Sequence, residues 1–450
     1  MSSLKPETSD CLRRTVAEKQ SSGRVPGIVG GVVRDGRLVW GEGVGTADVA
    51  RPGVPPTLDQ QFLIASNSKT FTAVVIMALR DEGKLDLDDT LDRFIPECGH
   101  PGLSIRQMLA HVSGMQREPV TDVWETLEQP DRDELVRGFA EAERVLRPHH
   151  RWHYSNLVYA MLGEVIARLD GREWFDSVQT RILRPLGMDR TTLGLRLDAA
   201  QGYYVPPFHD VPVPEPTFDF KAMAACGGLA STANDLALWS SFIADPVEDV
   251  LHPDTFEEMV QPQIMADLQR WTLAFGLGFM LRRSGDRVFV GHTGGMPGHI
   301  SAVFTHRESG TGGLVLMNST SAPDPALLAV SLADQVIDHD PKPPIPWLPG
   351  TVVPDEYAGI IGRWYSEGGP FDFVVRAGRL EAHVPGAPAH KPPAVFVRIG
   401  DDLYRTESGR ETGELLRVTR DPSGQVHQMN WATYLVTREP LAFGEWLTDD

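Results

Sequence analysis

SNSKTFTAVVIMALRDEG (residues 66–83) is the stretch from which the rest of the chain is read. Its apolar residues Phe71, Val74, Val75, Ala78 and Leu79 recur at i, i+3 and i+4, and Gly83 follows, which predicts an amphipathic helix with Ser66 at its front. Three residues apart on a helix means one face and one turn, so the hydroxyl of Ser66 and the amine of Lys69 are predicted to lie together. A serine needs a group to take its proton before it becomes a useful nucleophile, and an amine does this when burial or nearby positive charge favours its neutral form. By itself the tetrapeptide is more often a helix cap followed by a solvated lysine, since a chain of this length holds roughly one such match by chance.

Outward from that helix, Ile28–Arg34, the Asp35-Gly36 turn and Arg37–Trp40 read as an opening hairpin. From about 104 to 260 the pattern is mostly helical with long loops, including the proline-rich stretch 206–216, which no regular element is expected to hold. Strand character returns at Phe275–Arg282, Arg287–His292, Ile300–His306 and Gly313–Asn318, followed by a helix over Pro325–Ile337. Early and late strands are expected to share one antiparallel sheet flanked by helices. This places an α/β (α+β) catalytic domain at 1–340, with a helical subdomain inside it.

Residues 341–354 carry six prolines and read as a semi-rigid linker. After it, about eight short alternating segments between 362 and 437, joined by turns such as Ala377-Gly378 and Ser423-Gly424, predict a small antiparallel β-barrel or sandwich over 355–450.

Two more motifs carry chemistry. Tyr154-Ser155-Asn156 leads into a helical run, where a phenol beside a lysine can act as general base and the Asn156 side chain can hold an amide. The plainer reading is a packed aromatic and a capping asparagine. Gly291-His292-Thr293-Gly294-Gly295 reads as the end of a strand entering a glycine-rich turn, where backbone without Cβ lets an extended ligand approach. Its Gly295 N–H, with that of Ser66, is expected to form an oxyanion hole.

Composition narrows the function. With 42 Lys+Arg against 61 Asp+Glu the net charge is −19, which disfavours nucleic acid and anionic membrane as partners. Cys11, Cys98 and Cys226 are far apart and fit neither a disulfide framework nor a zinc site. His149, His150 and His153 lack a metalloprotease spacing and sit with Arg147 and Arg151, so no metal and no cofactor is expected. An N-terminus rich in charge, with no apolar core of a signal segment, reads as cytoplasmic.

Taken in order, S-x-x-K, Y-S-N and H-T-G resemble the serine β-lactamase and penicillin-binding-protein superfamily, in the branch of class C β-lactamases and D-alanyl-D-alanine carboxypeptidases. Residues 83–89 (GKLDLDD), 108–114 (MLAHVSG) and 227–232 (GGLAST) add to that likeness, which spans about 20–340. The resemblance implies Ser66 as nucleophile, Lys69 and Tyr154 as its proton network, Asn156, Thr293, Gly294 and Gly295 as substrate contacts, and His292 as an electrostatic partner opposite. Class C lactamases typically have lysine where His292 stands, whereas the carboxypeptidase-like and peptide-processing members often have histidine, which weighs against efficient penicillin hydrolysis. The C-terminal barrel is similar to the lipocalin-like domain of D-aminopeptidases and of stand-alone thioesterases that cyclise nonribosomal peptides. The expectation is an acyl transferase acting on a small peptide or acyl substrate, delivered on a peptidyl carrier protein, with Arg438 in the last strand as a gate residue or, more plainly, a surface salt bridge. Hydrolysis of an ester or D-peptide uses the same residues, and an acylated sensor without turnover is the alternative of another class.

Overall fold

An eight-stranded antiparallel sheet joins the two ends of the first unit, as seen in a computed structural model that describes residues 4–442 apart from 345, 351, 389 and 390. Its strands are β1 (Gly27–Arg34), β2 (Arg37–Gly45), β3 (Ile264–Met265), β4 (Leu273–Phe275), β5 (Met280–Ser284), β6 (Arg287–Met296), β7 (His299–His306) and β8 (Thr311–Met317), in the spatial order β2-β1-β8-β7-β6-β5-β4-β3. In β1, Gly30 faces Val315 of β8 on one side and Glu42 of β2 on the other.

Both faces of this sheet are covered, which is why β1 reads as a nearly unbroken apolar run. Ile28 and Val32 point into a core closed by α1 (Pro6–Ser22) and α5 (Pro325–His339), with Leu12, Val16, Leu332 and Val336. Val29 and Val33 point the other way, into a larger core shared with α2 (Ser68–Asp81), α3 (Asn156–Asp170) and α4 (Ala233–Ala244). Among the described residues no helix is long and apolar enough to cross a membrane.

Four local readings change. The segment expected as one strand over Phe275–Arg282 folds back on itself as the β4–β5 hairpin, with Met280 opposite Phe275. Gly278 makes this possible: its φ is +87°, and a Cβ there would lie 2.2 Å from that of Ala73. The H-T-G residues, expected at a strand end, continue β6 to Met296, and the turn falls at Pro297-Gly298. Within the proline-rich loop, Val213–Pro214 pairs with Tyr203–Tyr204, a short ladder at a surface position that proline tolerates. Helix α4, read with the helical subdomain, packs on β1, β7 and β8.

The chain divides between Lys342 and Pro343. In the second unit, β9 (Gly362–Ser366), β10 (Gly369–Arg376), β11 (Arg379–His383), β12 (Ala394–Gly400), β13 (Leu403–Ser408), β14 (Leu415–Arg420), β15 (Val426–Trp431) and β16 (Tyr434–Val436) pair in sequence order. Tyr365 and Thr437 then exchange backbone hydrogen bonds at 2.7 and 2.9 Å, which nearly closes the eight strands into a barrel. Its interior is filled by Trp364, Phe371, Phe373, Phe396 and Trp431.

Candidate active site

Ser66 sits in the 3-10 turn Ala65–Asn67 that leads directly into α2, and it is the one partly exposed residue in an otherwise buried run from Gln61 to Met77. The turn is pinned by β7 and by the backbone at Leu229. Asn67 Nδ2 donates to Ser301 Oγ of β7 at 2.9 Å, and Ser301 Oγ donates to the Ile64 carbonyl at 2.9 Å. Ser68 Oγ donates to the Ala65 carbonyl at 2.7 Å and accepts from the Leu229 N–H at 3.1 Å. A nucleophile on such a turn keeps one position without spending binding energy to find it.

Lys69, one turn on, is fully buried, and its Nζ donates to Ser66 Oγ at 3.1 Å, Asn156 Oδ1 at 2.8 Å and the Cys226 carbonyl at 2.7 Å. Asn156 is the first residue of α3. The capping is done by Ser155, whose Oγ accepts from the Val158 N–H at 3.3 Å, and this frees the asparagine side chain for the site. The asparagine's Nδ2 donates in turn to Glu118 Oε1 at 2.7 Å.

Tyr154 stands just before that helix in an aromatic box. Its ring stacks on His111 with centroids 4.2 Å apart and meets Trp152, Phe275 and His292 at 6.0, 6.4 and 6.1 Å. Lys69 Nζ lies 4.9 Å from its centroid and the Arg117 guanidinium carbon 5.0 Å. His111 is buried, and desolvation first, then Lys69, holds it well below the usual histidine range, so the platform under the phenol ring carries no charge. The His111 Nδ1 accepts the Ser155 N–H at 3.1 Å, which locks this lead-in to α3.

β6 supplies the opposite wall. From His292 to Met296 it pairs only with β7, because β5 ends opposite Gly291, and this leaves one edge open beside Ser66. Gly294 has to be glycine: a Cβ would lie 2.0 Å from the Ile64 carbonyl oxygen. Gly295 is exposed and open around its Cα. The Thr293 hydroxyl reaches Met280 Sδ at 3.9 Å. His292 is 1% exposed, and burial, then Lys69, pushes its pKa down to about 3. The uncharged ring donates from Nδ1 to the Thr293 carbonyl at 2.5 Å, so Nε2 carries the lone pair, buried and without a partner.

The structure thus brings Ser66, Lys69, Tyr154, Asn156 and His292 together around one buried amine. Arg438 lies in the second unit, just after β16, with its guanidinium carbon 3.8 Å from the centroid of the Trp364 ring and its donors on the carbonyls of Gly359, Ile361 and Arg363. It makes no ion pair among the described residues. Sequence reasoning missed Glu118 and the Cys226 carbonyl, for which no local pattern exists. It gave His111 no role, although the MLAHVSG stretch contains it.

Residues 12–336 match the family described as Beta-lactamase, and residues 353–438 match a domain of unknown function, DUF7586. The chain is similar to "Beta-lactamase-like protein 2" of Dictyostelium discoideum, 26% identical over 53% of this chain and 46% of that one. It is also similar to "Protein flp" of Staphylococcus aureus (strain N315), 24% identical over 75% of this chain and 68% of that one. It therefore spans under half of the first relative's length and about two thirds of the second's. Among solved structures, the octameric penicillin-binding protein homologue from Pyrococcus abyssi shares the fold, with TM-score 0.65, 22% identity, and 95% and 99% of the two chains covered. The D-stereospecific amidohydrolase from Streptomyces sp. does so with TM-score 0.62, 24% identity and 73% and 98% coverage. SurE does so with 0.61, 23% and 96% and 99%. Because the matched span holds the nucleophile turn, the aromatic box and the open strand edge alike, the chain belongs to the Beta-lactamase family, whose members are serine hydrolases and acyltransferases.

Proposed function

We propose that the chain is a thioesterase of the penicillin-binding-protein type, which accepts a peptidyl group from a thioester on Ser66 and releases it as a ring. In the first step Ser66 Oγ attacks the thioester carbonyl, the C–O bond forms, the C–S bond breaks, and the serine proton passes through the Lys69 and Tyr154 network to the departing sulfur. The developing oxyanion is held by the N–H groups of Ser66 and Gly295. In the second step an amine of the same peptide attacks the ester, the C–N bond forms, the C–O bond to Ser66 breaks, and the amine's proton passes to Ser66 Oγ. Delivery on a peptidyl carrier protein in the cytoplasm completes the proposal.

One observation carries the choice: His292 is buried and uncharged where class C lactamases hold a lysine. A penicillin, whose carboxylate lies close to the scissile bond, finds no cation on this wall among the described residues. A thiol leaving group needs none there. The likeness to a D-stereospecific amidohydrolase, and to a SurE structure holding D-Leu, supports a D-configured residue at the acyl carbon. That likeness also favours a second reading, hydrolysis of D-configured esters or amides, in which water replaces the amine.

The test is incubation with a fluorescent penicillin and with a peptidyl thioester, following adducts and products in time. Cyclic product supports the proposal, linear acid the hydrolase, and a lasting adduct without product a sensor. Ser66→Ala should end all labelling, and turnover surviving in that variant would overturn the assignment.

A further inference from the structure

Arginines elsewhere in the first unit are mostly held by carboxylates: Arg80 by Glu258, Arg132 by Glu164, Arg168 by Glu164 and Glu97, Arg181 by Asp170 and Glu82. The segment entering Tyr154 departs from this. Arg144, Arg147 and Arg151 occur within eight positions, no Asp or Glu lies between 144 and 153, and among the described residues none of the three makes an ion pair. Arg147 and Arg151 are exposed, while Nε and Nη2 of Arg144 are buried without a partner.

The fold fixes this segment against the site. Leu146 N–H donates to the Gly114 carbonyl at 3.1 Å, His149 N–H to Val112 at 2.8 Å and His153 N–H to His111 at 2.9 Å. The neighbouring segment ends at Arg117, which faces the Tyr154 ring. The nearby carboxylates are Glu118, engaged by Asn156 and by Arg117 at 3.4 Å, and Glu143, exposed at the start of the segment. On a chain of net charge −19 this is a local positive field.

Position says what the field is for. Tyr154 and Lys69 hand the proton to the leaving group, so that group departs along the Tyr154 side. Among the described residues no cation stands on the His292 wall, whereas Arg147 and Arg151 are exposed on the segment that enters Tyr154, open to an anion many bonds from the sulfur. Guanidinium groups pair with phosphate oxygens in forked geometry. We propose that Arg144, Arg147 and Arg151, with Arg117 at the inner end, bind the phosphate of a phosphopantetheine arm carried on the leaving thiol. This rests on the thioester reading and names how the thioester is presented.

The experiment compares two probes on the full chain, one peptide carried as its phosphopantetheine thioester and as its pantetheine thioester, which differ only in the phosphate. Expected is a kcat/KM ratio of roughly tenfold or more in favour of the phosphorylated probe. The difference should lie in KM, shrink with added salt, and fall to near one in Arg147→Ala/Arg151→Ala. Arg147→Lys/Arg151→Lys should recover part of it. Equal kcat/KM for both probes in the wild type, or a ratio unchanged in the double alanine variant, overturns the phosphate site and leaves the thioesterase reading standing. If neither thioester acylates Ser66 while a D-amino ester does, both fall together.

Discussion

Glu118 decides which way the Asn156 amide points. The carboxylate accepts only, so it takes the Nδ2 hydrogen at 2.7 Å and turns Oδ1 toward Lys69 Nζ at 2.8 Å. Without it the amide is free to turn and face Lys69 with a second donor. Glu118→Ala should lower the acylation rate of Ser66 about 10- to 100-fold. Glu118→Gln keeps an acceptor oxygen and should recover most of that loss. Stopped-flow acylation with a peptidyl thioester measures both, and equal rates in the two variants would remove the positioning role.

Gly294→Ala should separate the strand edge from the nucleophile. Its Cβ would meet the Ile64 carbonyl oxygen at 2.0 Å and Ser301 Oγ at 2.6 Å, the same two groups that hold the Ser66 turn. The turn has to move, and a displacement on the order of 1 Å costs about 100-fold in rate. Gly295→Ala, where a Cβ meets nothing within 4 Å, should keep the melting temperature of the parent. A Gly294→Ala enzyme with normal acylation would show that the strand and turn are not coupled.

Much of this architecture is legible before any coordinates. Ser66, Lys69 and the helix behind them announce themselves because a buried helix stripe is dense in apolar residues, and the eight barrel strands do so because turn residues punctuate alternation. Helix α1 is silent for the opposite reason: it buries only Thr8, Leu12 and Val16, one residue per turn, too thin a stripe to stand out. The β4–β5 hairpin hides because Gly276 and Gly278 sit inside an apolar run that reads as one strand, and the close packing of Gly278 on Ala73, about two hundred positions away, shows only in the fold. Glu118 is invisible for a similar reason. Its partner lies 38 residues on, and only the packing of the two segments makes the pair.

His292 should stay uncharged through the physiological range. Burial, then Lys69, lowers its folded pKa to about 3, against about 6.5 when unfolded. The stability that comes with a neutral ring is therefore present above about pH 6.5 and is lost progressively as pH falls toward 3. Labelled-histidine NMR should show no titration of His292 between pH 5 and 8. A midpoint near 6.5 would mean that the imidazolium exists in the site and that a carboxylate-bearing substrate is accommodated after all.

Arg438 separates a structural role from a gating one. Its guanidinium covers Trp364, a fully buried residue of the first barrel strand, and its donors meet the carbonyls of Gly359, Ile361 and Arg363, so it ties the end of the last strand to the start of the first. A flat cation over indole, partly desolvated, contributes about 1–2 kcal/mol. Arg438→Ala should lower the thermal stability of the barrel by that amount, followed by tryptophan fluorescence in the full chain, and leave KM for the thioester unchanged. Arg438→Lys restores the charge but neither the plane nor the fork, so it should recover less than half of the loss. A KM change at unaltered stability would instead place this side chain on the substrate's path.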